Sequence, residues 1–190
     1  MNIFKHVEVG EQLLFLRPTL MTWVDRVEQI SRSFPQSPDQ YYLEPTLVGL
    51  LAGAAWSNGI HAITEVKVKR TGKDRRENGG RLDLLMLSGE HRVALEAKII
   101  WDWTLIQENV MDELQNACNE VSSIQDDIAE LRIGALFFVP WWNNKSQQEQ
   151  LSGNVVQPLS QVRVDVKACY CNSEFNYPGA ILLWKLAHRL

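Results

Sequence analysis

Long apolar runs are missing from this sequence: none approaches the ~20 consecutive residues that a bilayer-spanning helix needs. The opening stretch MNIFKHVEVGEQLLFLRP has no apolar centre of the kind a signal peptide carries. Cysteine is scarce. Cys118, Cys169 and Cys171 are odd in number and wrongly spaced for a disulfide framework or a zinc knuckle. Reduced thiols are the simplest account, and a cytoplasmic protein with no membrane association is the expectation. His6, His61, His91 and His188 fall at no metal-ligand spacing. A glycine-rich phosphate loop is absent too, since TGKD lacks the first half of a P-loop. Nucleotide-hydrolysing motors are therefore excluded, and Ser-His-Asp chemistry has no handle. A net charge of −4 rules out a globally basic coat for nucleic acid.

What is present suits one folded domain. The 190 residues are 45% hydrophobic and 22% charged, enough for a sizeable core. Positive charge is concentrated locally. Lys67, Lys69, Arg70, Lys73, Arg75, Arg76 and Arg81 lie between Val66 and Leu82, against only Asp74 and Glu77. Such a patch can grip phosphates on an acidic protein, although a solvated loop is the plainer alternative.

Leu20, Trp23, Val24, Val27, Ile30 and Phe34 recur at three- and four-residue steps, so a helix is expected from Arg17 to Phe34. Pro35 and Pro38 break it. A second helix is expected over 39–57, regular from about Glu44 because Pro45 suits a first turn. Residues 62–70 alternate like a strand, a basic glycine-containing loop follows, and 81–88 and 91–99 read as two further strands. TLIQENVMDELQNACNEVSSIQDDIAEL is helical, in one piece or two, and RIGALFFVP is a buried central strand. VRVDVKACY alternates again, and AILLWKLA fits a strand or a short helix. The expected fold is α/β (α+β) with a mixed sheet flanked by helices. Residues 1–37 would form an N-terminal helical extension, 39–140 the core, and 141–190 the elements completing the sheet.

Within that core, charges sit where strands should be apolar. If Gly89-Glu90 forms a two-residue turn, Ser88 faces His91, and opposed residues sum to 179. Asp83 then lies across from Glu96, and Arg81 across from Lys98. Cross-strand partners have Cβ atoms ~5 Å apart, and Lys98 stands two residues along on the same face. Leu82, Leu84, Met86, Val93, Leu95, Ala97 and Ile99 would point to the other side. Opposed carboxylates want a proton or a cation. Hard oxygen ligands suit Mg²⁺, which also binds substrate phosphates. The competing expectation is that Asp83 pairs with Arg81 or Lys98 on a wet sheet face.

GRLDLLML…VALEAK resembles the PD-(D/E)xK nuclease superfamily, with its restriction-endonuclease-like fold. Asp83 matches the lone aspartate, and Glu96-Ala97-Lys98 the (D/E)-x-K; Leu82 stands where the proline would be. The family core, helix, three strands, helix, strand (αβββαβ), matches the expected order over 39–140, leaving an extra N-terminal helix and C-terminal strands. The resemblance implies a Mg²⁺- or Mn²⁺-dependent nuclease acting on DNA, with RNA not excluded. Asp83, Glu96 and the carbonyl of Ala97 would hold metal, and Lys98 would position or activate the attacking water and offset charge. Many members add a glutamate from the first core helix. Glu44 fits that role, with Glu65 as competitor and a favourable helix N-terminal charge as the plainer reading of Glu44. Gln115, 17 residues beyond Lys98, occupies the place of a glutamine that some members use, but a solvated helix face explains it equally. The alternative is a non-catalytic nucleic-acid- or protein-binding subunit on the same fold. Trp101, Trp103, Trp141 and Trp142 follow two of the strands and fit base stacking or simple packing. A homodimer or a larger protein complex would supply the recognition surface that so small a chain lacks.

Overall fold

A computed structural model of the protein describes residues 3–34, 43–71, 77–101, 106–125, 127–140, 162–172 and 179–187. Strand β1 (Ile3–Val9) leads through a 3-10 helix (Glu11–Leu16) into α1 (Arg17–Ser33) and then α2 (Glu44–Ser57). Strands β2 (His61–Thr71), β3 (Glu77–Ser88) and β4 (His91–Ile100) follow. Then come α3 (Ile106–Ser122), β5 (Leu131–Phe138), β6 (Val166–Asn172) and β7 (Gly179–Leu186). The seven strands form one sheet in the order β1-β6-β7-β5-β4-β3-β2. Only β4 and β5 run parallel; every other neighbouring pair is antiparallel. The fold is mixed α/β, and among the described residues no helix is long and apolar enough to cross a membrane.

Both faces of the sheet are covered. Helices α1 and α2 pack Leu20, Trp23, Val27, Leu47 and Leu51 on Leu84, Met86, Val93, Leu95, Phe137 and Trp184. On the other face Val110, Leu114, Cys118 and Val121 recur at helical spacing along α3 and meet the opposite sides of β4, β5 and β7. Helix and sheet approach closely at Gly134. A Cβ there would stand 2.6 Å from both the amide nitrogen and Sγ of Cys118. Strand β7 shows why AILLWKLA lacks alternation. Leu182 and Trp184 belong to the α1/α2 side while Ile181 and Leu183 belong to the α3 side, so Ala180 to Trp184 is apolar at every position.

Three expectations need correction. The N-terminal region is not wholly helical, because Ile3–Val9 forms an edge strand on β6. Its outward residues are largely exposed, and only Val7 and Val9 pack on the core, so it carries little local pattern. The long segment after Trp103 contains a single described helix, ending at Ser122. Leu82 does not share a face with Leu84 and Met86; it joins Val68, Ala94 and Val121 on the α3 side.

That last correction locates a break in the sheet. The β2–β3 ladder has the same register on either side, Thr64 with Leu84 and Val66 with Leu82, but the pair Glu65 and Asp83 between them is missing. Glu65 has φ 57°, a left-handed conformation unusual for a side-chain-bearing residue in a strand. The faces exchange at this point: Ala62 and Leu84 lie toward α1 and α2, while Val68 and Leu82 lie toward α3. At the same level β3 leaves β4, whose shared ladder ends at Leu84 and Leu95. Beyond it β2 and β3 continue as a two-stranded arm. The arm is fastened to the end of α3 by the Arg70–Ile124 bridge and by the Gln125 amide donating to the Lys69 carbonyl.

Candidate functional site

The expected register holds up to the break. Ser88 pairs with His91, every pair to Leu84 and Leu95 sums as expected, and Gly89 takes φ 51° in the turn, as the primed turns require. Asp83 and Glu96 are the next step, where the strands part. The Asp83 carboxylate turns into the opening and accepts the Ala97 amide at 2.7 Å, replacing a backbone acceptor that the ladder no longer supplies. Glu96, on the α3 face of β4, is within hydrogen-bond reach of Asp83. Its side chain is only 4% exposed.

Lys98 follows on the same face. Its Nζ lies 2.8 and 2.9 Å from the two carboxylate oxygens of Glu120, in the last turn of α3. An acid there opposes the helix dipole unless a cation answers it, as Lys98 does. Arg70 and Arg132 donate to the terminal carbonyls of Glu120 and Ser122, each at 2.9 Å, which caps the same helix end. Glu44, in the first turn of α2, is half-buried and feels Asp83, Lys98, Glu120 and Glu65, so both helices present an acid toward the opening.

The electrostatics follow from crowding and burial. Desolvation first, then the neighbouring Asp83, push the Glu96 carboxyl up to about 8, although Arg70 pulls the other way. Glu44 is raised in the same direction, by burial and then by Asp83. For Lys98 burial disfavours the charge, but the Glu120 hydrogen bond and the fields of Glu120, Glu44 and Glu96 prevail, and its pKa lies above 10.5. Lys98 is therefore an ammonium at neutral pH. A carboxyl raised on folding binds more protons in the native state, so its contribution to stability is present at low pH and is lost as pH rises through about 8. Without divalent ions, Tm should fall between pH 5 and 8 in the wild type, and the slope should flatten in Glu96→Gln. Thermal melts over that range check this, and equal slopes in the two proteins would refute it.

The structure also departs from the expected site. Among the described residues no group of three or more His, Cys, Asp or Glu side chains is arranged to hold a metal ion. The reason is local: Asp83 is engaged with the Ala97 amide, and Glu96 is ion-paired with the Arg70 guanidinium. Arg70, expected to face phosphates, turns inward. Gly80 makes that possible, since a Cβ there would lie 2.5 Å from Arg70 Nε. Arg81 does not face Lys98; it pairs with Glu65 at 3.2 Å. Gln115 is not brought to the group either. It bonds Asn119 at 3.0 Å and receives Lys185 of β7 at 3.2 Å. Five residues turn a helix by about 140°, so when Glu120 faces β4, Gln115 faces away. Lys67 and Lys69 are exposed, whereas Lys73, Arg75 and Arg76 lie outside the described residues, as do Trp103, Trp141 and Trp142. Trp101 packs against the core.

Sequence reasoning missed Glu120 altogether. The usable signal was an acid next to Val121, on the flank of the buried stripe of α3, where a charge needs a partner. No family model, no curated protein and no solved structure matches the chain.

Proposed function

We propose that the protein is a Mg²⁺- or Mn²⁺-dependent nuclease that hydrolyses phosphodiester bonds of DNA on a restriction-endonuclease-like core. The observation that carries this reading is the convergence of Asp83 and Glu96 where β3 parts from β4, with the Lys98 ammonium on the next position of that face. Glu44 adds a third carboxylate from α2, in preference to Glu65, which is held by Arg81. The chemistry of the donor set suits a hard divalent cation: burial first, and then the neighbouring Asp83, raise the Glu96 and Glu44 carboxyls, and a cation among these oxygens would offset both. Asp83, Glu96, Glu44 and the Ala97 carbonyl would hold the ion, with Arg70 giving up Glu96. Bound there, it would polarise a phosphoryl oxygen and lower the pKa of a coordinated water.

The chain's own groups then divide the work. Lys98 stays protonated, so it is not the base that takes the water's proton. It stabilises negative charge building on the phosphate oxygens as the bond to water forms and the bond to the leaving oxygen breaks. Glu120 holds its ammonium in place. Lys67, Lys69 and Arg81 on the arm supply phosphate contacts, so binding weakens as salt rises.

The ion pairs Arg70–Glu96 and Lys98–Glu120 favour a second reading, a binding subunit whose charges are structural. Metal linkage separates the two. Millimolar Mg²⁺ should raise the Tm of the wild type by a few degrees, more at pH 8 than at pH 6, and leave Asp83→Ala unmoved. An unchanged wild-type Tm with DNA binding intact would select the subunit.

A further inference from the structure

We propose that Arg70 is the site's internal counter-ion, occupying the Glu96 carboxylate that a divalent cation would ligate, so that guanidinium and metal exclude one another. The inference rests on the metal-dependent reading above and adds a control on it. Arg70 stands on the arm, beyond the point where β3 leaves β4, yet its side chain is only 19% exposed and reaches back to the opening. Three acceptors hold it. Nη1 donates to the Glu120 carbonyl at 2.9 Å, Nη2 donates to the Arg81 carbonyl at 2.6 Å, and Nη2 is also ion-paired with Glu96.

A carboxylate as enclosed as Glu96 requires a cation or a proton, because water does not reach it. Arg70 fills that need when metal is absent. Its fork geometry decides how it lets go. Two of its three bonds run to backbone carbonyls of α3 and β3, so the guanidinium can surrender the carboxylate and remain anchored. Among the described residues Glu96 is held by side chains alone, Arg70 and Asp83, so release of the guanidinium leaves its carboxylate beside Asp83, where an ion would sit. The path of Arg70 is also built in. It crosses Gly80, where a Cβ would stand 2.5 Å from Nε and 2.9 Å from Cδ. Any larger residue at 80 would displace the side chain and leave its charge in the protein. Arg70 is thus a positioning residue that sets how readily metal enters, and the arm that carries it couples metal occupancy to the end of α3.

The test is calorimetric titration of the folded protein with MnCl₂ alone, without DNA, on the wild type, Arg70→Met and Gly80→Ala. Circular dichroism confirms that each variant is folded. Arg70→Met should bind Mn²⁺ at least about tenfold more tightly than the wild type. Gly80→Ala, which keeps the arginine but pushes it aside, should move in the same direction. Wild-type binding with equal or weaker binding in both variants would overturn the counter-ion role and leave the metal-dependent reading standing. Absence of Mn²⁺ uptake in all three proteins would remove both.

Discussion

Lys98→Ala should be folded and should lose magnesium-dependent cleavage of plasmid and single-stranded DNA, by about 10²–10⁴-fold, the range for removing a group that stabilises transition-state charge or assists proton transfer. The structural cost should be small. Lys98 is 30% exposed and its partner Glu120 is 44% exposed, so the carboxylate left behind is solvated. Loss of such a pair costs at most about 1 kcal/mol, or a few degrees in Tm. Activity and stability therefore separate cleanly at this position. Glu120→Gln is the companion variant. It keeps a hydrogen-bond acceptor for Lys98 and removes the charge, so it should retain more activity than Lys98→Ala. A Lys98→Ala protein that cuts at the wild-type rate would eliminate the proposed chemistry, whatever the metal does.

The largest effect on stability is expected from Gly134→Val. Glycine is needed here for close approach, not for backbone conformation. The added Cβ would lie 2.6 Å from the Cys118 amide nitrogen and 3.0 Å from its Cα, and backbone cannot swing aside as a side-chain tip can. Helix α3 must lift off β5, opening the packing around Leu114, Cys118 and Val121. Overpacking of this kind costs about 3 kcal/mol or more, which for a chain of this length lowers Tm by roughly 6–12 °C. Trimming Cys118 to alanine in the same protein should restore little, because it removes the Sγ contact and leaves the backbone ones. Full rescue by Cys118→Ala would show that the side chain alone sets the spacing. The displacement should also carry Glu120 away from Lys98, since both contacts depend on the height of α3 above the sheet.

The same two positions show what local pattern conveys and what it does not. Helix α1 was readable because its apolar residues keep a helical period, and α2 because Pro45 marks its first turn. The β3–β4 register followed from a two-residue turn as far as Leu84 and Leu95; Asp83 and Glu96 lie one step beyond the ladder and meet through their side chains where the strands part. Those features depend on near neighbours in the chain, where a period of 2 or 3.6 translates directly into a face.

Strand β1 was not readable, because its pairing with β6 joins residues more than 150 apart and its own side chains are mostly exposed. The break at Glu65 and Asp83 was not readable either. Leu82, Leu84 and Met86 keep an every-second-residue spacing through the point where the strand changes faces, so the sequence pattern does not mark it; the missing ladder pair and the packing against α2 on one part and the end of α3 on the other do. Glu120 and Arg70 came to the site by the same route. Sequence by itself determined the three charges, their order and the hairpin that leads up to them. Tertiary structure alone decided which cations answer them, because an ion pair between Arg70 and Glu96, or Lys98 and Glu120, is set by how the arm and α3 close over the sheet. Coulombic partners are chosen by distance in space, and the periodicity of a chain encodes only the direction in which each side chain sets out.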